Sequence, residues 1–205
     1  MEIRAVIWDV GGVLLRTEDP EPRQALADRL GIERRELEKV VFSGDSSNQA
    51  QLGKITLEEH WEQVRRILGL EIHEMDEFRA QFWSGDRVDY ELVEAIRALQ
   101  KSRIKTGILS NAFSNLREFL RDECGIVDAF DELVISAEEG LMKPDQRIYE
   151  LALERMGVDA SQAVFIDDVP ANVEAARRVG LHGIHFRTSQ QACQEMDMLL
   201  DGRQP

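Results

Sequence analysis

The rhythm of apolar and polar positions changes twice along the chain. Ala5-Val6-Ile7-Trp8 is a short unbroken apolar run that stops at Asp9 and is followed by Val10, Gly11 and Gly12. A run this short predicts a strand covered on both faces, as in a parallel sheet, and the glycines let the backbone turn as it leaves. Beyond Val13-Leu14-Leu15 the rhythm turns helical, and no strand is predicted before about Ile104. Pro22 starts a helix that ends near Gly31, Glu33 to Phe42 reads as a second, and Ser43 to Asn48 reads as a polar loop. Thr56 and Glu59 have the spacing of a capping box, in which hydroxyl and carboxylate satisfy each other's backbone amides, so a helix should run from Leu57 to about Leu68. Leu57, Trp61, Val64 and Leu68 recur at helical spacing, as do Phe78 and Phe82, and are read as core. His60 borders that face and is read as packed or partly solvated rather than catalytic.

From Ser84-Gly85-Asp86 onward helices and strands alternate. Helices are predicted over Tyr90 to Lys101, Ser114 to about Asp122, Gln146 to Met156, Ala171 to Val179 and Gln190 to Leu200. Strands are predicted over Ile104 to Leu109, Leu133 to Ile135, Ala163 to Ile166 and Gly183 to Phe186. Alternation of this kind predicts an α/β fold with a parallel, Rossmann-like sheet and right-handed crossovers. The expected organisation is a core of residues 1–15 and 86–205 with a helical insertion at 16–85.

Candidate chemistry sits where the predicted strands end, which on open parallel sheets is where ligands bind. The first strand delivers Asp9, the second Ser110-Asn111, and the fourth Asp167-Asp168, followed by Val169-Pro170 and Asn172. After the third comes Lys143-Pro144-Asp145, where the proline fixes the chain that carries the lysine. Taken singly, each has an ordinary explanation: an Asp that caps a turn, Ser-Asn that caps a helix, a solvated lysine. Adjacent carboxylates at a buried strand end need a positive partner, and Mg²⁺, which prefers hard oxygen ligands, suits them. A carboxylate, a hydroxyl, a lysine and a carboxylate pair together supply a nucleophile, a phosphate cradle, a cation and a metal site for phosphoryl transfer.

Composition narrows the partners. The formal net charge of -14, from 25 Lys and Arg against 39 Asp and Glu, argues against broad binding to nucleic acid or anionic membranes. An anionic ligand would then need a local metal or lysine to overcome the charge of the whole chain. The two cysteines, Cys124 and Cys193, form no C-x-x-C pair, which fits a reducing compartment, and neither an export signal nor a bilayer-length apolar run is seen. A cytoplasmic location is expected, and no oligomeric state is implied.

With these motifs in this order, the sequence resembles the haloacid dehalogenase superfamily, whose four motifs match Asp9, Ser110, Lys143 and Asp167-Asp168. The helical stretch resembles that family's small α-helical cap. Gly140 to Ile148, Phe165 to Asp168 and Ala171-Asn172 look like the amino-terminal phosphatase domain of soluble epoxide hydrolases. They look equally like bacterial glucose-1-phosphate phosphatases, which Leu52 to Thr56 also resembles. The resemblance implies a Mg²⁺-dependent phosphatase of a small phosphorylated metabolite, plausibly a sugar phosphate. By the same resemblance Asp9 forms an aspartyl-phosphate, Ser110 and Asn111 bind phosphoryl oxygens, and Lys143 neutralises charge on phosphate and Asp9. Mg²⁺ would rest on Asp9, the Gly11 carbonyl and Asp168, with Asp167 a ligand through water or a group behind the ligands, and Asn172 bracing the loop. One departure is Gly11, which stands where most phosphatases of the family carry an acid/base Asp; a good leaving group, or a carboxylate from the cap, of which Glu18 and Asp19 lie nearest in sequence, would have to compensate. The alternative is a phosphate-binding or regulatory protein with little turnover. Hydrolytic dehalogenation needs no metal, and Asp167-Asp168 counts against it.

Overall fold

The computed structural model describes residues 2–202. Its centre is a parallel sheet of five strands in the order β5-β4-β1-β6-β7. These are β1 (Ala5–Trp8), β4 (Lys105–Ser110), β5 (Glu132–Ile135), β6 (Ala163–Asp167) and β7 (His182–His185), each hydrogen-bonded in parallel to its neighbours. The continuous apolar run of β1 is explained by burial on both faces. Val6 and Trp8 enter one apolar cluster, with α6 (Tyr90–Lys101) and α11 (Ser189–Leu200), whereas Ala5 and Ile7 enter another, with α9 (Gln146–Met156) and α10 (Pro170–Val179). Strand and helix bounds follow the predicted ones within one or two residues in this part of the chain, apart from the segment after Ser114. There a short α7 (Leu116–Glu118) runs into a π-helical turn over Phe119–Glu123. A further short helix, α8 (Ser136–Glu139), follows β5.

The insertion contains α1 (Glu21–Leu30), α2 (Arg34–Phe42), α3 (Asp45–Gln51), α4 (Leu57–Leu68) and α5 (Met75–Trp83). It has its own apolar cluster, in which Leu26, Leu37, Val41, Trp61, Val64, Phe78 and Phe82 meet. The capping box of Thr56 and Glu59 forms as predicted, and Gly69 ends α4 in the left-handed region. Two expectations are corrected. Ser43 to Asn48 is largely helical: Ser47 and Gln51 lie buried in α3, with Gln51 Nε2 donating to Ser47 Oγ (2.8 Å) and to the Phe42 carbonyl (3.1 Å), so tertiary burial overrides weak helix propensity. The stretch before Ile104 is also not free of strands, because β2 (Leu15–Thr17) and β3 (Asp86–Val88) pair antiparallel where the insertion leaves and rejoins the core. Among the described residues no helix is long and apolar enough to cross a membrane.

Two guanidinium groups fasten this two-stranded linker. On the core side, Arg16 donates to the Val13 carbonyl (2.8 Å), to Ser189 Oγ (3.2 Å) and to Asp89 Oδ2 (2.9 Å), and Asp89 in turn caps α6 through the Leu92 amide. On the insertion side, the buried Arg23 donates to Thr17 Oγ1 (2.8 Å), the Phe82 carbonyl (3.1 Å) and both oxygens of Asp86 (2.9 and 2.7 Å). Its guanidinium lies 4.4 Å from the Phe82 ring centroid. Removing one partner of a buried, forked ion pair strands the other. Arg23→Ala is therefore expected to cost about 3 kcal/mol or more in urea unfolding, and a cost near zero would show that the pair does not hold the linker.

Candidate active site

The polar strand ends meet at one edge of the sheet. Asp9 follows β1, Ser110 closes β4, Asp167 closes β6, and Lys143 enters from the segment between α8 and α9. Lys143 is the organising group: fully buried, its Nζ lies 2.9 Å from Asp9 Oδ1 and 2.6 Å from Asp167 Oδ2, and it donates to the Leu109 carbonyl at 2.9 Å. One ammonium thus ties together the ends of three adjacent strands, β4, β1 and β6. Its backbone is held as firmly, because Asn111 Nδ2 donates to the Lys143 carbonyl (2.9 Å) and Asn111 Oδ1 accepts from the Lys143 amide (2.8 Å). The Asn111 side chain is consequently a clamp on Lys143, and a phosphoryl contact by Asn111 would have to come from its backbone. Ser136 Oγ fixes the same loop, accepting from the Ala112 amide (3.0 Å) and donating to its carbonyl (3.2 Å).

The two adjacent aspartates have different surroundings. Asp167 is fully buried, and both of its oxygens are occupied: Oδ1 by the Val169 amide (2.7 Å) and Asn172 Nδ2 (3.2 Å), Oδ2 by Lys143 and Asn172 (3.1 Å). Asn172 is positioned by α10, and its carbonyl accepts from Tyr149 Oη at 2.9 Å. Asp168 is only partly buried, and its carboxylate lies against Gly12, where an added Cβ would come within 2.3 Å of Oδ2. Gly12 also has φ +78°, a conformation that L side chains rarely adopt. The carboxylates of Asp9, Asp167 and Asp168 each place an oxygen within 4.8 Å of the others. Such a hard-oxygen set, with Gly12 making room for the Asp168 carboxylate, fits Mg²⁺. Asp167 already accepts from donors on both oxygens, whereas among the described residues no side-chain hydrogen bond to the Asp168 carboxylate accompanies its place against Gly12.

One group at this edge was not singled out from the sequence. His185 ends β7 in register with Asp167, and its Nε2 lies 3.0 Å from the Asp168 carbonyl, so it supports the loop that carries Asp168. Its only signal was position, a polar residue at the end of the last strand. The insertion also reaches this edge. His60 on α4 is buried rather than partly solvated; it pairs Nδ1 with Ser46 Oγ (2.9 Å) and stacks on Phe113, just past Asn111, with ring centroids 5.0 Å apart. Gly53 packs so closely on the Ala137 carbonyl that no Cβ would fit. Glu18 and Asp19 are exposed and otherwise engaged, Glu18 with Arg16 (3.3 Å) and Asp19 with the Glu21 amide (3.0 Å).

Burial lifts the Asp9 carboxyl from 3.8 to about 7, against the pull of Lys143 and with the repulsion of Asp167. Burial, then Asp167, raises Asp168 as well. A carboxyl whose folded pKa exceeds its unfolded one binds its proton more tightly when folded, so stability falls as pH rises from about 4 towards 7. In metal-free protein Asp9→Asn removes that cost. Its melting temperature is expected to exceed that of wild type by about 3 °C or more at pH 8, with the gap narrowing in acid. Equal values across that range would contradict the electrostatic account.

A model of the haloacid dehalogenase-like hydrolase family matches residues 3–180. The chain is 28% identical over 201 residues to the sesquiterpene phosphatase astK of Aspergillus oryzae, covering 96% of each protein. It is 25% identical over 214 residues to bifunctional epoxide hydrolase 2 of Sus scrofa, an alignment that takes in 96% of this chain but 39% of that protein. A solved structure of a haloacid dehalogenase family enzyme from Bacteroides thetaiotaomicron, in complex with magnesium and inorganic phosphate, shares the fold. The TM-score is 0.73 at 21% identity, over 90% of this chain and 94% of that one. A match that runs from β1 through α10 leaves one assignment: the chain belongs to the haloacid dehalogenase-like hydrolase family.

Proposed function

We propose that the protein is a Mg²⁺-dependent phosphatase of a small phosphorylated metabolite, such as a sugar phosphate, working through an aspartyl-phosphate on Asp9. The observation that carries this reading is the Lys143 ammonium set between Asp9 and Asp167, with the Asp168 carboxylate against Gly12. The arrangement aims a carboxylate and provides for the charge of a phosphate in a chain of net charge -14. Support also comes from the Aspergillus oryzae relative, named as a phosphatase, and from the magnesium and phosphate in the Bacteroides thetaiotaomicron structure.

In this reading Asp9 attacks phosphorus, and Lys143 holds the carboxylate in place and takes up charge from the phosphoryl oxygens. Ser110 and the backbone of Asn111 bind those oxygens, while Asp167 and Asn172 keep Lys143 and the loop rigid. Asp9, the Gly11 carbonyl and Asp168 would hold Mg²⁺, which when bound would supply Lewis-acid neutralisation of the phosphate. Residues 16–85 act as a cap over a core of 1–15 and 86–205, and the contacts of His60 with Phe113 and of Gly53 with Ala137 support that placement. A cap resting on the strand ends favours a small substrate. Gly11 favours a second reading, phosphate binding with little turnover.

The test is phosphate release from p-nitrophenyl phosphate and a sugar-phosphate panel. Mg²⁺-dependent release that Asp9→Asn lowers by about 10³-fold or more is expected. Saturable binding without turnover would favour the second reading. Release that survives chelation or Asp9→Asn would refute the mechanism.

A further inference from the structure

Resting on the hydrolase reading above, we infer that the phosphoryl-Asp9 form of this protein accumulates during turnover and passes its phosphoryl group to small hydroxyl compounds as well as to water. The inference starts at Gly11, two residues past Asp9. Gly11 is exposed, and a Cβ built on it would meet no protein atom within 4 Å. Position 11 therefore carries no side-chain proton acceptor, and among the described residues no other side chain fills the space over it.

Among the described residues, the carboxylates and cation nearest Asp9 are committed elsewhere, as are Tyr149 Oη on the Asn172 carbonyl and His185 Nε2 on the Asp168 carbonyl. Both oxygens of Asp167 accept hydrogen bonds from Lys143, Val169 and Asn172. Lys143 is a donor shared among Asp9, Asp167 and the Leu109 carbonyl. Asp168 lies against Gly12 in the carboxylate set suited to a cation. Glu18 faces solvent beside Arg16, Asp19 caps the Glu21 amide, and His60 is stacked on Phe113 with Nδ1 on Ser46.

The two half-reactions differ in how much this matters. In the first, a carboxylate oxygen of Asp9 bonds to phosphorus and the ester P–O bond breaks, with the electron pair leaving on the alcohol oxygen. A stable leaving group such as p-nitrophenolate needs no proton for this. In the second, a hydroxyl oxygen bonds to phosphorus, the Asp9 O–P bond breaks to restore the carboxylate, and the hydroxyl proton must go to solvent. Absence of a positioned base costs about 10² to 10⁴ in rate, and with such a substrate the whole cost falls on the second half. Phosphoryl-Asp9 then builds up. Gly11 is exposed and a Cβ built on it meets nothing, so no side chain at position 11 keeps a small alcohol from competing with water.

The test is rapid-mixing kinetics of wild type with Mg²⁺ and p-nitrophenyl phosphate. The expected trace is a burst approaching one p-nitrophenolate per enzyme, then a slow phase that glycerol accelerates, with glycerol phosphate among the products. Enzyme quenched in the slow phase should gain the mass of one phosphoryl group, located on Asp9. Gly11→Asp, which puts a carboxylate into the open space, should raise the slow phase by about 10²-fold and remove the burst. Burst-free release with no mass gain and no response to glycerol overturns the inference and leaves hydrolysis through Asp9 standing. No release and no mass gain overturns both.

Discussion

The structure turns on a lysine ammonium buried at the junction of three strand ends. A charge in that position is tolerated only when it is paired and hydrogen-bonded on every side, and Lys143 is: Asp9 from β1, Asp167 from β6, the Leu109 carbonyl from β4. Much of the surrounding architecture maintains that condition. Asn111 holds the Lys143 backbone, Ser136 holds the loop that carries Asn111, Asn172 and the Val169 amide hold Asp167, and Tyr149 holds Asn172. The result is a reactive carboxylate raised in pKa by burial yet kept in place by a fixed cation, an arrangement suited to a ligand that brings negative charge and a metal with it.

The sheet and its site were legible in the sequence because their signals are local. A short apolar run closed by Asp9 and two glycines reads as a buried strand turning at its end, and the Thr56–Glu59 box marks a helix start by spacing alone. Elements decided by tertiary context were not legible. The Ser- and Asn-rich stretch that becomes α3 has the composition of a loop and is helical because Ser47 and Gln51 are buried and bonded to each other. The linker strands β2 and β3 have three residues each, too few to show alternation, and are held by Arg16 and Arg23 from both sides. At the site, the sequence brought Asn111 forward as a phosphate ligand, but the direction of its side chain depends on where Lys143 passes. The difference between Asp167 and Asp168 was likewise not legible, because it lies in the hydrogen bonds that Asp167 receives from Lys143, Val169 and Asn172.

The helices between β2 and β3 have their own apolar cluster, and they meet the rest of the chain at the two-stranded linker and at the edge where His60 and Gly53 lie against Phe113 and Ala137. On the proposed reading, substrate selection and chemistry would fall on different segments, the strand ends holding a phosphoryl group and the helices selecting what is attached to it.

The central claim, that the strand ends form one phosphoryl site around Lys143, is tested most directly by a crystal structure with Mg²⁺ and beryllium fluoride, a phosphoryl mimic. The account predicts beryllium joined to an Asp9 oxygen, fluorines on Lys143 Nζ, Ser110 and the Asn111 backbone, and the metal on Asp9, the Gly11 carbonyl and Asp168. Beryllium fluoride bound elsewhere, or a metal held without Asp168, would contradict it.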